Sequence, residues 1–374
     1  FKQKTAYEIM PSLVGSEMCI RDRGKEAVLY EKMPNDKVKC TACARYCVIH
    51  KDQIGLCGIR GNEYGKLQLF VYGKVIAGHV DPIEKKPVTH YHPGSQIYSI
   101  ATTGCNWLCK YCQNSDISQR RKVEGIDMTP EDVANRAFQY GAHGIAYTYN
   151  EPSIFIEFAR DCGIAAHKKG LFNIFVSNGY DTPETVSMMN DFLDCITVDF
   201  KGSAEPEFTK KFIAVPDPQP IFDSLIEIRD KTNIHVEITD LIVPQVGDSL
   251  EYARKLSKFV LDEFGPEMPI HFLRFHPDYK MMDYESTPIK TLENHYNVAK
   301  DVGLKYVYLG NVPGHPWEHT YCSECKEIVV KRYGFDIKGW FLDEKNNCNF
   351  CGNPIPITGS LQKEYKQQRF QFLH

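Results

Sequence analysis

The chain has 374 residues, of which 43% are hydrophobic and 25% are charged, and its formal net charge is -4. This is the composition of an ordinary globular protein of two or three domains, without the basic footprint that nucleic acid or an anionic membrane surface attracts. Because no apolar run is long enough for a transmembrane helix and no signal-peptide pattern opens the chain, the sequence predicts a cytoplasmic protein.

Residues 1–30 are expected to form a non-native or disordered tail. Within them, the segment 11–23 resembles a translated sequencing-adapter fragment and leaves Cys19 without a role; a loosely docked native terminus is the alternative. The rest of the chain is predicted to form three parts: an N-terminal four-cysteine module with a lead-in loop (31–93), a barrel (94–315) and a C-terminal four-cysteine metal ribbon (316–374).

Most of the 14 cysteines fall in clusters, which in a reducing compartment indicates metal binding rather than disulfides. The first cluster contains Cys40, Cys43, Cys47 and Cys57. Four thiols at this spacing could close a zinc site or hold an iron-sulfur cluster with no open iron, and four unligated cysteines are the alternative. The alternating residues 66–80 predict a small antiparallel hairpin beside this site.

A segment dense in charge, histidine and proline follows at residues 81–94 and is interpreted as a fixed loop leading into the next strand. On composition alone, its basic residues more often face solvent or anchor the backbone than bind a ligand. They are Lys85, Lys86, His90 and His92.

The second cluster, Cys105, Cys109 and Cys112, has the spacing C-x3-C-x2-C and follows an apolar run that predicts a strand. Cysteine thiolates are soft ligands that hold [4Fe-4S] clusters, normally four to a cluster. Three in one loop would leave one iron open to a small molecule. A zinc-binding loop is the rival interpretation.

This motif, with Tyr111 as the aromatic residue before the third cysteine, resembles the cluster motif of radical S-adenosyl-L-methionine (SAM) enzymes. The resemblance implies that SAM binds the open iron and that one electron from the cluster cleaves it to methionine and a 5'-deoxyadenosyl radical, which abstracts hydrogen from a substrate. The electron would come from a donor of the flavodoxin or ferredoxin type. The protein's own part would be to hold the cofactors and aim the radical.

The sequence DPIEKKP at 81–87, together with GCN-x2-C-x2-CQN at 104–114, closely resembles one branch of these enzymes. That branch is the radical SAM enzyme of the AmmeMemoRadiSam system, related to pyruvate formate-lyase activating enzyme. The partners that this resemblance suggests are a Memo-type protein, an AMMECR-type protein or a glycyl-radical enzyme.

From residue 97 to residue 315, short β-rich runs alternate with amphipathic stretches. Strands are predicted at 97–102, 144–150, 172–177, 195–200, 235–243, 270–275 and 305–309, with helices between them. Thr129 and Thr182, each followed by Pro and Glu, have the pattern of helix N-caps. The units predict an α/β fold with a buried parallel sheet, a partial (β/α)6 TIM-like barrel with a seventh strand, which is also the fold that the resemblance implies.

Functional groups of such barrels gather at the carboxyl ends of the strands. The polar residues there are Asn150, Glu151, Ser177, Asn178, Asp199, Lys201, Arg274, His276, Asn311 and His315. Purely structural roles are open to them: Asn150 and Glu151 could cap a helix at Pro152, and Asp199 and Lys201 could form a surface ion pair. The remaining cysteines, Cys162 and Cys195, are interpreted as small core residues.

The resemblance adds roles to these positions. Glu151 stands where many radical SAM enzymes have a Gly-Gly-Glu-Pro segment that contacts the SAM amino group, although Tyr149-Asn150 replaces the glycine pair. Asp199 and Lys201 resemble an Asp-x-Lys near SAM and substrate, and Ser177 and Asn178 resemble contacts of the SAM ribose or carboxylate. His276 is a candidate contact of cofactor or substrate.

The third cluster, with the spacing C-x2-C-x22-C-x2-C, contains Cys322, Cys325, Cys348 and Cys351. Two such knuckles form a zinc ribbon or a rubredoxin-like site, and zinc is favoured because it needs no redox partner. Residues 363–374 are expected to be a polar, basic helix or a loose end.

The sequence therefore predicts a radical SAM oxidoreductase that resembles pyruvate formate-lyase activating enzyme and carries two further zinc or iron sites. Its substrate would be a protein, as for a glycyl-radical activase, or a small molecule. The alternative from another class is a non-catalytic metal-binding or redox-relay protein of the Memo-associated system.

Overall fold

The computed structural model describes residues 24–362; the adapter-like segment, Cys19 and residues 363–374 lie outside them. The strands are β1 (Lys25–Glu26), β2 (Tyr30–Met33), β3 (Lys37–Cys40), β4 (Val48–Ile49), β5 (Arg60–Glu63), β6 (Lys66–Leu69), β7 (Lys74–Val75), β8 (Ala77–Pro82), β9 (Gln96–Ala101), β10 (Ile126–Asp127), β11 (Gly144–Tyr147), β12 (Phe172–Ser177), β13 (Cys195–Lys201), β14 (His235–Ile242), β15 (Ile270–Arg274), β16 (Val307–Gly310), β17 (Thr320–Tyr321), β18 (Ile328–Tyr333) and β19 (Asp336–Trp340).

The α-helices are α1 (Ser115–Ser118), α2 (Pro130–Gln139), α3 (Ile156–His167), α4 (Pro183–Met189), α5 (Pro206–Phe212), α6 (Gln219–Lys231), α7 (Leu250–Phe264) and α8 (Ile289–Val302). Short 3-10 turns lie at Ile83–Lys85, Pro152–Phe155, Gly202–Ala204 and Pro316–Glu318. Among residues 24–362, no helix combines the length and the apolar character needed to cross a membrane.

The main sheet has eight strands in the order β16-β15-β14-β13-β12-β11-β9-β8. Seven of them run parallel, and β8 adds to the edge antiparallel to β9. The predicted α/β fold with a parallel sheet is confirmed, and all seven predicted strands are present with ends within three residues of the observed ones. The sequences of the parallel strands are almost continuously apolar because helices cover the sheet and bury its side chains.

Two predicted helix starts are confirmed in atomic detail. Thr129 caps α2: its hydroxyl accepts from Asp132 N at 3.1 Å, while the Asp132 carboxylate accepts from Thr129 N at 2.9 Å. Thr182 caps α4 by accepting from Thr185 N at 3.2 Å. These caps satisfy backbone donors that have no partner inside the helix.

The predicted hairpin over residues 66–80 is wrong. Strand β6 pairs with β1 and β5, whereas β8 joins the edge of the main sheet. The physical reason is that the edge strand β9 has backbone groups in need of partners, and alternation in a sequence does not say which strand will supply them.

Residues 24–30, the described part of the expected tail, contain β1 and the buried side chains of Ala27 and Leu29.

The N-terminal part of the chain packs against the barrel in one continuous hydrophobic core. At its centre, the buried guanidinium of Arg60 donates to the buried carboxylate of Glu157 on α3, with Nη1 and Oε1 3.0 Å apart. Beside it, the Thr182 hydroxyl donates to Thr41 O at 2.6 Å and the Thr185 hydroxyl donates to Ala42 O at 2.9 Å. The first cysteine cluster is therefore held directly against α3 and α4.

The C-terminal part, with the three-stranded sheet β17-β18-β19, docks on the lead-in loop. His90 is buried there: its Nδ1 lies 2.9 Å from Pro356 O and its Nε2 lies 2.6 Å from the Tyr308 hydroxyl. Thr358 N donates to His90 O at 2.8 Å, and Arg332 Nη2 donates to Thr89 O at 3.3 Å. His90 therefore anchors the backbone of the C-terminal part, which agrees with the interpretation of this residue from the composition of its segment.

Candidate active site

The loop with Cys105, Cys109 and Cys112 begins directly after β9 and is fixed on both sides. Gly104 precedes it with a φ of +87°, a conformation that glycine adopts easily. Leu108 N donates to Ile213 O at 3.1 Å, and Lys110 N donates to Phe212 O at 2.9 Å. The three thiols line a cavity of about 420 Å³ at the carboxyl ends of the parallel strands.

All ten residues predicted to bind the cluster or SAM line this cavity. They are Cys105, Cys109, Cys112, Asn150, Glu151, Ser177, Asn178, Asp199, Lys201 and His276. They meet because parallel strands bring their carboxyl ends to the same edge of the sheet. Their individual contacts with a cofactor stay a prediction.

Glu151 is the most densely hydrogen-bonded carboxylate of the cavity. Its Oε1 accepts from the Ser153 hydroxyl at 2.7 Å and from the Ser177 hydroxyl at 2.9 Å, and its Oε2 accepts from Asn178 N at 2.8 Å. Ser153 N also donates to Oε1 at 3.1 Å, so Glu151 caps the short helix at Pro152 as well as facing the cavity. The capping role of Glu151 is therefore confirmed, and its contact with a cofactor stays a prediction.

A second buried carboxyl group, Asp181, contacts the same Ser153 hydroxyl. Burial, followed by the negative charge of Glu151, raises the pKa of Asp181 to about 8. Two neighbouring buried carboxylates do not both ionise easily, and Glu151 receives more hydrogen bonds. Burial raises the pKa of Glu151 as well. The arrangement therefore favours one shared negative charge on the pair, with Glu151 as the better site for it because of its hydrogen bonds.

Tyr149 and Asn150 stand where the resembled Gly-Gly-Glu-Pro motif has its two glycines, and the structure shows how the chain accommodates them. Tyr149 has a φ of +68°, the left-handed region that glycine favours. Its hydroxyl donates to Asp81 Oδ2 at 2.6 Å and its carbonyl accepts from Asn114 Nδ2 at 3.1 Å. Asn150 Nδ2 donates to Gly104 O at 2.9 Å, which ties this turn to the cysteine loop.

Asp199 and Lys201, on the same face of β13, form an ion pair through Asp199 Oδ2. Burial lowers the pKa of Lys201, but the Asp199 charge and hydrogen bond raise it more, so that the net shift is upward and the ammonium is kept. Asp199 Oδ1 is buried without a hydrogen-bond partner in residues 24–362. One acceptor of the pair is therefore available to a ligand.

Four cavity residues carry a buried polar atom that finds no partner in the described part of the chain: Trp107 Nε1, Tyr111 Oη, Asn150 Oδ1 and Asp199 Oδ1. Leaving such groups unpaired costs about 1–3 kcal/mol each. A polar ligand in the cavity would remove that cost. Three thiols beside unpaired donors and acceptors fit an iron-sulfur cluster together with a polar molecule of the size and character of SAM.

Two basic residues of the lead-in loop also line the cavity, which the sequence did not indicate. Lys85 Nζ and Lys86 Nζ each lie 2.7 Å from an oxygen of Asp81. Lys86 is buried. Burial lowers its pKa more than the negative charge of Asp81 raises it, so that the pKa falls to about 8. They reach the cavity because β8 runs antiparallel along β9 and carries the following turn beside the barrel interior.

The polar residues after the last strands differ in exposure. His276 lies at the cavity mouth with 68% of its side chain exposed, and its Nδ1 is 3.2 Å from Asp278 Oδ2. Arg274 and Asn311 line the cavity, and Asn311 Nδ2 donates to Arg274 O at 3.2 Å. His315 instead caps the turn at Pro316.

The two four-cysteine groups have different shapes. In the C-terminal group, Cys322 Sγ lies 3.6 Å from Cys351 Sγ, and Cys325 Sγ lies 3.7 Å from Cys348 Sγ. Four sulfurs bound tetrahedrally about 2.3 Å from one ion stand about 3.8 Å apart, so this group fits a single zinc or iron ion. The N-terminal four cysteines line a small cavity of their own.

The two remaining cysteines of the barrel, Cys162 and Cys195, are fully buried in the core, as predicted.

Residues 99–260 match the family model of the radical SAM superfamily. An uncharacterized protein of Methanocaldococcus jannaschii is 42% identical over 337 residues, 89% of this chain and 99% of that protein. The pyruvate formate-lyase-activating enzyme of Clostridium pasteurianum is 23% identical over 199 residues, 49% of this chain and 81% of that enzyme. The solved structure of a radical SAM methyltransferase from Sphaerobacter thermophilus aligns with a TM-score of 0.47 and 11% identity. The alignment covers 59% of this chain and 67% of the methyltransferase chain.

Proposed function

Residues 99–260 carry a radical SAM superfamily domain, and from that premise we propose that the chain binds a [4Fe-4S] cluster at Cys105, Cys109 and Cys112 and SAM in the adjoining cavity. The observation that carries this proposal is that three thiols and several unpartnered polar atoms line one cavity at the strand ends. With both groups bound, the chemistry supplied is one-electron cleavage of SAM to methionine and a 5'-deoxyadenosyl radical, which takes a hydrogen atom from the substrate.

The chain's own residues would bind and orient SAM. Asn150 Oδ1 and Asp199 Oδ1, both unpartnered acceptors, would accept hydrogen bonds from its amino group or ribose hydroxyls. The single negative charge of the Glu151–Asp181 pair favours a cationic group nearby, and Lys201 offers a cation to a carboxylate. The buried walls would exclude water around the reacting atoms.

For the substrate, we propose hydrogen abstraction either from a protein, as by a glycyl-radical activase, or from a small molecule. The similarity to an enzyme named for pyruvate formate-lyase activation supports the first. The electron donor would be a flavodoxin or ferredoxin, and a glycyl-radical enzyme, a Memo-type protein or an AMMECR-type protein would be the partner. A non-catalytic metal-binding or redox-relay role is the alternative that the experiment below must exclude.

The test is SAM cleavage by the full chain, reconstituted anaerobically with iron and sulfide and reduced with dithionite. We expect 5'-deoxyadenosine to accumulate, and Cys109→Ala to abolish it. Cys162→Ala is the matched control, because Cys162 is a fully buried cysteine outside the cavity. No 5'-deoxyadenosine from the wild-type chain, with zinc instead of iron at the three-cysteine loop, would contradict the proposal.

A further inference from the structure

We propose that Cys40, Cys43, Cys47 and Cys57 hold a second iron-sulfur cluster, and not a zinc ion. This inference goes beyond the SAM chemistry, because it concerns a site with four thiols and therefore no open iron. It depends on the width of the four-cysteine group, on what surrounds it, and on its place against the SAM-binding loop.

The distances between the four sulfur atoms distinguish an iron-sulfur cluster from a single zinc ion. Among residues 24–362, only Cys322, Cys325, Cys348 and Cys351 form a group of three or more cysteine, histidine or carboxylate ligand atoms lying within 4.8 Å of one another. The N-terminal four cysteines are therefore spread more widely than one ion requires. An iron-sulfur cluster is a larger body than one ion and holds its cysteines further apart.

The wide spacing does not mean that the four cysteines are unrelated, because all four line one cavity. Cys40 and Cys43 are buried, and Cys47 and Cys57 are partly buried. The four cysteines therefore form one ligand set around a shared centre, and their spread, wider than that of the C-terminal four, is the spacing that a multi-atom core would bridge.

The surroundings suit an anion. A cluster bound by four thiolates carries net negative charge, and two guanidinium groups line the cavity, those of Arg45 and Arg60. Arg60 is paired with Glu157, whereas Arg45 Nη2 is buried and has no hydrogen-bond partner in the described residues. An N–H aimed at a cluster sulfur would satisfy this donor, and such bonds tune cluster potentials.

The site shares a wall with the loop of Cys105, Cys109 and Cys112. Asn106 lines the N-terminal cavity, while its neighbour Cys105 lines the SAM-binding cavity. Arg45 Nε donates to Asn106 O at 3.0 Å. The two clusters would therefore lie side by side, one with an open iron that responds to SAM and one without.

The experiment uses the full chain, reconstituted anaerobically, and compares two variants. In Cys105→Ala/Cys109→Ala/Cys112→Ala, we expect about four iron and about four sulfide to remain, with a dithionite-reduced EPR signal that SAM does not change. In Cys43→Ala/Cys57→Ala, we expect the complementary result, a single signal that SAM shifts. Cys195→Ala, a buried cysteine that lines neither cavity, is the control and should keep both signals.

The inference is overturned if the triple variant contains no sulfide and carries a zinc ion that is lost with Cys43 and Cys57. Should either variant fail to fold, the wild-type chain decides: two equal EPR components, one unmoved by SAM, support the second cluster, and one component contradicts it. Loss of the SAM-responsive signal alone would count against the proposed function and leave this inference standing, so the two failures are distinguishable.

Discussion

Gly104 packs against the carbonyl oxygen of Cys57: a Cβ built on Gly104 would stand 2.4 Å from that oxygen and 2.7 Å from Ile59 Cγ2. The residue before Cys105, the first cysteine of the three-cysteine loop, thus touches the last cysteine of the N-terminal group. Both cysteine sites depend on this close approach of two backbones, which only glycine allows.

Gly104→Ala should therefore cost more stability than its backbone conformation alone explains. A left-handed alanine costs about 1–2 kcal/mol, and the clash with Cys57 O adds to it and displaces the loop. Gly141→Ala is the matched control, because Gly141 also has a positive φ, +67°, but no atom within 4 Å of its added Cβ. Thermal unfolding and iron content after reconstitution measure the difference, and equal losses in both variants would show that the contact is unimportant.

Glu151→Gln should lower SAM affinity and 5'-deoxyadenosine formation by tenfold or more, roughly 1.4 kcal/mol, because it removes the carboxylate that lines the cavity. Asp181→Asn should change them little at neutral pH, since Asp181, with a pKa of about 8, is already protonated and an amide can replace its O–H as donor. Binding titrations with SAM and product assays at pH 7 compare the two. An effect of Asp181→Asn as large as that of Glu151→Gln would show that the charge is not confined to Glu151.

Removing metal from the C-terminal group should loosen that part of the chain while leaving SAM cleavage largely intact. Cys325→Ala/Cys351→Ala takes away two of the four ligands, and structural metal sites of this kind contribute directly to folding. We expect the loss of one metal ion per chain by elemental analysis, and earlier proteolysis between residues 320 and 357. Cys162→Ala should change neither, and a variant that retains its metal would contradict the site.

Stability should fall as the pH is lowered from about 6.5 to about 4, partly because of His90. Burial lowers the pKa of His90 to about 4, despite the nearby charge of Glu237, whereas an unfolded histidine titrates near 6.5. Between these values the unfolded chain binds the extra proton, so stability is lost as pH falls, by roughly 3 kcal/mol at most.

Urea unfolding at a series of pH values, with His90→Gln beside the wild type, tests this expectation. The variant should show a shallower loss of stability below pH 6.5, whatever its stability at neutral pH. His50→Gln, at an exposed histidine, should keep the wild-type slope. Parallel curves for His90→Gln and the wild type would show that the acid sensitivity comes from other groups.

The seven strands, the caps at Thr129 and Thr182 and the C-terminal metal group could be predicted from the sequence because each depends on local information. Strand runs follow side-chain burial, caps follow backbone donors one turn away, and a C-x2-C knuckle brings two thiols together within one turn. The prediction that polar residues meet at the strand ends also follows, since a parallel sheet places those ends at one edge.

The sequence by itself determined the three cysteine clusters, the order of the barrel elements and the residues at their carboxyl ends. Only the tertiary structure decided that β8 joins the main sheet, that Lys85 and Lys86 reach the cavity, and that the N-terminal four cysteines stand wider than the C-terminal four. These are contacts between segments far apart in the chain. Their distances depend on sheet edges, docking and packing, which no local pattern of residues encodes.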